Sequence, residues 1–261
     1  MSSIPEIHFD SMAALETSYW WHQSRLSWAQ TIIVKHFSDP KCLDVLDYGC
    51  GTGGFLHQLS ERMQFRTCLG VDVDQKAIKE ALNYSSAYQQ IEENDFTTIS
   101  NKDLILLMDT LEHVENDEEF LKNIFSEMKM GAHLLISVPA FSRLFSNWDT
   151  ILGHYRRYEK KNVSQLIQAA NGSIQCMEYA FSYLFPVLAF KRKIGQVKYD
   201  KHNCEFPHIP AFLNRFLLKL NVLEIFGSSI FGIPFGTSLF CLAKKQGELP
   251  VGWMPEAKTS Q

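Results

Sequence analysis

The 261-residue chain has six cysteines (Cys42, Cys50, Cys68, Cys176, Cys204, Cys241) but no CxxC pair. Without ligand spacing or a paired framework, neither a structural zinc site nor a disulfide scaffold is expected, and reduced thiols in a cytosol fit this usage. Positive charge is not in excess: 25 Lys and Arg stand against 29 Asp and Glu, a net charge of −4. That balance argues against a nucleic-acid partner, because phosphate contacts draw on a basic surplus. Met1 to Asp10 lacks a basic segment followed by an apolar run, so no secretory signal is expected. Repeats and low-complexity tracts are absent too. The stretch Ile225 to Ala243 carries no charge over 19 positions, but only eleven are apolar, and Gly227, Gly232, Pro234 and Gly236 interrupt it. A spanning helix needs about 20 mostly apolar residues. A buried hairpin or strand is expected there instead.

What is present is enough apolar material, 46% of residues, to bury a full core in one elaborated domain. Residues 11–37 show helical spacing through Leu15, Trp20, Leu26, Ile33 and Val34. After Pro40 short β-type runs alternate with amphipathic helices. Strands are predicted at 42–47, 66–73, 88–92, 104–108, 133–138 and 173–180, with a late one at 237–243. Helices are predicted at 54–63, 75–84, 117–130, 163–170 and 211–226, and Gly131 reads as the residue closing the fourth of these, counting the leading helix as the first. The β-α-β-α order implies an α/β, Rossmann-like, doubly wound and mostly parallel sheet. The expected organisation is an N-terminal helical cap (1–38), a main domain (39–245) with a helical insertion at 180–236, and a loose tail (246–261).

In such sheets ligands bind beyond the carboxyl ends of the strands. Asp47-Tyr-Gly49-Cys-Gly51-Thr-Gly53-Gly54 follows the first strand, and Asp72 closes the second. The glycines allow a tight turn and close backbone approach, and the acid suits ribose hydroxyls. Both features fit a nicotinamide dinucleotide as well as another adenosyl ligand. Asp47 separates them, since its charge would repel a pyrophosphate in a partly dry site. S-adenosylmethionine has no phosphate and carries a sulfonium and an ammonium, so an anionic Asp47 favours it. The plainer role for Asp47 is a turn cap.

Together with Gly70-Val-Asp72-Val73, Asn94-Asp95-Phe96 and Asp109-Thr-Leu-Glu112-His113-Val114, this loop resembles the successive motifs of class I S-adenosylmethionine-dependent methyltransferases over residues 39–140. The resemblance implies a seven-stranded sheet. It also implies that Asp47, Gly49, Gly51 and Gly53 border the methionine portion of the cofactor, and that Asp72 and Val73 hold the ribose region. Asp95 and Phe96 would meet the adenine, and Asp109 would border the methionine again. The segment Glu16-Thr-Ser-Tyr-Trp20-Trp21-His-Gln-Ser-Arg25, the element Gly153-His154-Tyr155-Arg156-Arg157-Tyr158 and the run Pro234-Phe-Gly236-Thr-Ser-Leu-Phe resemble a bacterial subgroup associated with cell-envelope glycans or lipid-linked sugars.

On the acceptor side, His154 and His113 are the candidate bases, since imidazole takes a proton near neutral pH. For His113 a plain helix-start role is the alternative. Trp148, Tyr155, Arg156 and Arg157 are candidate acceptor contacts. Guanidinium forks match phosphate and carboxylate, although one arginine could instead pair with Asp149 or Glu159 and brace the loop. No metal ligand is expected. Residues 180–243 carry seven basic and three acidic residues, a balance of +4 against −8 for the rest of the chain. A basic, apolar insertion suits an anionic amphiphile or a membrane surface; the plainer reading is a lid or dimer contact with solvated charges. The expected function is methyl transfer to a small-molecule or lipid-linked acceptor, oxygen favoured, in the cytoplasm with peripheral contact at the inner membrane face. An NAD(P)-dependent oxidoreductase and a non-catalytic binding protein are the alternatives.

Overall fold

The computed structural model describes residues 15–194 and 209–247. Seven strands form one sheet in the order β3-β2-β1-β4-β5-β7-β6. They span Asp44–Tyr48 (β1), Thr67–Asp72 (β2), Tyr88–Gln90 (β3), Leu104–Met108 (β4), His133–Pro139 (β5), Gly172–Ala180 (β6) and Ser238–Lys245 (β7). β7 runs antiparallel to both β5 and β6, and the other pairings are parallel. Strand order reverses between β1 and β4, where ligands bind in doubly wound sheets. β4 reads Leu-Ile-Leu-Leu-Met and is buried throughout, as a parallel strand covered on both faces must be.

Helices cover the two faces: α1 (Trp20–His36), α2 (Gly54–Met63), α3 (Gln75–Ala81), α4 (Asp117–Glu127), the short α5 (Asn147–Ile151), α6 (Lys160–Ala169), α7 (Phe185–Ile194) and α8 (Ala211–Phe231). α1 begins at Trp20, later than its periodicity suggests; residues 11–14 lie outside the described residues. β1 starts at Asp44 because Pro40–Cys42 forms a 3-10 turn. α4 stops at Glu127 with Met128 extended, so Gly131, at φ 81, turns the chain toward β5 and does not close the helix.

The uncharged stretch 225–243 is half helix and half strand, not a hairpin. α8 continues through Gly227 to Phe231 and ends at Gly232 with φ 66, and β7 follows. A lone glycine costs about 1 kcal/mol inside a helix, too little to break a 21-residue one. Among the described residues, no helix is long and apolar enough to cross a membrane. The basic residues Lys198 and Lys201 and the tail from residue 248 lie outside the described residues.

Candidate functional site

The glycine turn is dictated by close neighbours. Gly49 has φ 81, and a Cβ there would lie 2.6 Å from the Thr110 side chain; only glycine meets both conditions. The turn carries Gly51, whose N–H donates to Asp72 Oδ2 at 2.8 Å. Asp72 also accepts from the Asp74 N–H at 2.9 Å, so backbone amides aim its carboxylate across the β1–β2 edge. Burial raises the Asp72 pKa against those hydrogen bonds. Val73, beside it, is partly buried against the core.

Further along this edge, Asp95 accepts from both the N–H and the hydroxyl of Thr97, which keeps its pKa low. Phe96 stacks on Tyr48 at 5.8 Å, and the Tyr48 hydroxyl donates to the Asp95 carbonyl. A phenyl ring and an acidic side chain therefore follow one another along this edge.

Asp47 is 1% exposed and its Oδ1 has no hydrogen-bond partner. Burial pushes its carboxyl up to about 7, with Arg25 pulling the other way. Asp109 sits past the end of β4 at φ 56, a conformation that few residues other than glycine adopt. Its N–H donates to the Ser137 carbonyl at 2.9 Å and its Oδ1 accepts from the Ser137 hydroxyl. Its Oδ2 lies 2.7 Å from Arg25 Nε. Arg25 is buried, with its guanidinium 4.5 Å from the Trp21 ring centroid.

α1 thus brings a cation among Asp47, Asp109 and Glu112, and the residues just before it bring Glu16. Glu16 accepts from the Thr52 hydroxyl at 2.6 Å, and a Cβ on Gly54 would collide with its carboxylate. Burial raises the pKa of Glu16 and, together with the charge of Asp109, that of Glu112. Sequence reasoning did not place Glu16, Arg25 or Glu112 in the site. The usable signal was a glutamate and an arginine on a helix segment otherwise full of buried aromatics.

Across the site, Asp149 organises the loop after β5. It is fully buried, accepts from the Ser146 N–H and hydroxyl, and lies 2.7 Å from Arg157 Nε and 3.2 Å from His154 Nδ1. Burial alone would raise its pKa, but the His154 hydrogen bond and the Arg157 charge hold it down to about 2. An ionised Asp149 can only accept, so the His154 Nδ1–H donates to it and the neutral ring carries its lone pair on Nε2. The His113 ring stands edge-on to His154 at 4.7 Å. One ligand atom from each of Glu112, His113 and His154 falls within 4.8 Å of the others.

The arginines are engaged elsewhere. Arg157 braces the loop through Asp149 and the Ala140 carbonyl. Arg156 pairs with Asp117 at 2.8 Å and donates to the Glu115 carbonyl. Both line a groove of about 550 Å3 with Asp117, Ser142 and Asn162, which contains none of the strand-end groups. Tyr155 is exposed beside Arg156, its N–H donating to the Glu112 carbonyl, and Trp148 is half-buried on α5.

A family model described as a methyltransferase domain matches residues 20–175, more than half of the chain. The ubiquinone biosynthesis O-methyltransferase of Rickettsia bellii (strain OSU 85-389) is 26% identical over 155 residues, covering 52% of this chain and 63% of that protein. The match therefore spans less than two thirds of that relative's length. A chain of the complex between the Haloferax volcanii Trm112 methyltransferase activator and the putative methyltransferase superposes with TM-score 0.59 at 14% identity, covering 95% of this chain and 99% of that one. Magnesium protoporphyrin IX methyltransferase from Synechocystis PCC 6803, solved with bound S-adenosylhomocysteine, gives TM-score 0.50 at 14% identity over 86% and 84%. At such identities the structural likeness is one of fold. The chain belongs to the methyltransferase-domain family, with S-adenosylmethionine as its cofactor, and the nicotinamide alternative is set aside.

Proposed function

We propose, from membership of that family, that the protein transfers the methyl group of S-adenosylmethionine to an oxygen of a small amphiphilic, lipid-linked acceptor at a membrane surface. The strand-end residues support the donor end of this reading. Gly49, Gly51 and Gly53 run beneath the methionine portion, and Asp72 with Val73 takes the ribose. Asp95 and Phe96 take the adenine. Asp109 and Arg25 form a matched pair of charges for the ammonium and carboxylate of the methionine. Asp47 gains from a nearby sulfonium what burial costs it.

The acceptor hydroxyl loses its proton where His113 and His154 meet. Its oxygen then attacks the methyl carbon as the carbon–sulfur bond breaks and S-adenosylhomocysteine leaves. Holding donor and acceptor in line can supply much of the acceleration. Trp148 and Tyr155 are the acceptor walls this reading uses. Arg157 is a bracing residue in it, and Arg156, already paired with Asp117, is the more exposed guanidinium of the two.

The observation that carries the amphiphile is α8. Phe212, Phe216, Leu223, Phe226 and Phe231 are all exposed, Phe231 to 87%, with exposed Arg215 and Lys219 among them. An aromatic face this large, studded with cations, suits an anionic bilayer surface. A direct test incubates the protein with methyl-labelled S-adenosylmethionine and a total lipid extract. Label in the organic phase, lost in Asp72→Ala and His154→Ala, is the expected result. Label only in the aqueous or protein fraction would overturn the lipid-linked acceptor, and no transfer to any fraction would favour the binding-protein alternative.

A further inference from the structure

α2 begins at Gly54, directly after the glycine turn, and its N-cap residue Gly53 supplies no side-chain cap. In doubly wound folds a helix start in this place binds phosphate, because its free amides and its dipole favour an anion. Here an anion is already supplied from inside the chain. Glu16 is 5% exposed, and its Oε1 accepts from the Thr52 hydroxyl at 2.6 Å. Its Oε2 stands where a Cβ on Gly54 would go and has no hydrogen-bond partner. The residue is also tied down. The Glu16 carbonyl accepts from Gln23 Nε2 at 2.9 Å and from Gln58 Nε2 at 3.1 Å, and Arg62 donates to Gln23 Oε1 at 2.8 Å. Bonds from α1 and α2 thus hold Glu16 beside the turn. A buried carboxylate oxygen left without a partner is costly, so packing alone gives no reason for an acid here.

We infer that Glu16 is a specificity-determining residue. It fills the anion position at the start of α2, so that the adenosyl site admits a phosphate-free nucleoside and rejects one carrying phosphates on its 5′ carbon. A phosphate brought to this turn would meet the Glu16 carboxylate both in space and in charge, in a site too dry to screen the repulsion. S-adenosylmethionine brings a sulfonium and an ammonium to the turn instead, and a resident carboxylate does not oppose them. The inference rests on the adenosyl cofactor and is independent of the acceptor.

The test measures how adenosine and metal-free ADP displace S-adenosylhomocysteine from the full-length protein. The two share their adenosyl contacts, so the ratio of their dissociation constants isolates the phosphates. In wild type, ADP should bind at least about tenfold more weakly than adenosine. In Glu16→Ala, which removes both charge and bulk, that ratio should fall at least about tenfold. Glu16→Gln removes the charge alone and should lower it by a smaller factor. A merely structural Glu16 would weaken adenosine, ADP and S-adenosylhomocysteine together and leave the ratio unchanged. That result, or a wild type that binds ADP as well as adenosine, overturns the inference. Should Glu16→Ala fail to fold, Glu16→Ser opens the same space and decides by the same ratio.

Discussion

α1 and α8 lie against each other but are built in opposite senses. α1 buries Trp20, Leu26, Trp28, Ile32 and Ile33, with Trp28 stacked on Phe240 of β7. α8 is the more apolar of the two, yet its fully buried residues are Asn221 and Ser228. Polar side chains dock it. Asn214 accepts from the Trp20 N–H, Asn221 accepts from Trp28 Nε1 at 3.0 Å, and Glu224 takes the Phe181 and Ser182 amides. Leu217, Leu218 and Ile225 add partial apolar contact on the same side. An amphipathic helix of a soluble domain normally turns its apolar face to the core. In α8 much of that face turns to solvent. One helix serves the core and the site, and the other leaves much of its apolar surface exposed.

That contrast can be broken at graded cost. Arg25→Ala should be the most damaging change, because it leaves Asp109, Asp47 and Glu112 without their buried cation. A loss of about 3–5 kcal/mol is expected in denaturant unfolding, and a loss below about 1 kcal/mol would show that α1 does not balance this charge. On α8, Phe216→Ser with Phe226→Ser should leave stability within about 0.5 kcal/mol. The same pair should weaken partitioning onto anionic vesicles about 100-fold, at roughly 1.5 kcal/mol per aromatic ring. Unchanged sedimentation with vesicles would assign the face to another partner. At the seam, Asn221→Ala strands the Trp28 indole N–H and should cost about 1–3 kcal/mol.

A further effect is a protonic one. Asp47 has a folded pKa raised from 3.8 to about 7. Its contribution to stability is therefore complete below pH 4 and fades as pH rises through 7. A bound sulfonium or ammonium favours the ionised form, so cofactor binding should release a proton between pH 5 and 7, and affinity should rise with pH across that window. Calorimetry in buffers of different ionisation enthalpy measures the proton count; an equal count in Asp47→Asn would assign it to another group.

Much of the fold could be read from the chain. The limits of α2 and β4 match their periodicity, because both elements carry their pattern without interruption. Element ends were harder to place, as at α4, where the backbone turns extended at Met128 with no glycine to announce it. Of the polar positions of α8, Asn214, Asn221 and Glu224 dock the helix while Arg215 and Lys219 are exposed. Periodicity separates two faces of a helix but does not say which one the rest of the protein will cover.

The candidate site divides in the same way. The glycine turn, Asp47, Asp72 and Asp109 could be picked out because each sits at or beside a strand end whose position local pattern fixes, whereas Asp95, beyond the end of β3 at Gln90, came from the resemblance alone. The sequence by itself therefore determined a doubly wound sheet, a glycine turn and acidic side chains near its strand ends, and a basic, apolar segment over 180–243. Only the tertiary structure decided that Arg25 and Glu16 reach across to that site, that Asp149 orients His154, and that Glu112 and His113 come to meet it. Those contacts join segments far apart in the chain. Their distances are set by how helices and loops pack on the sheet, and that information is not contained in any single stretch of residues.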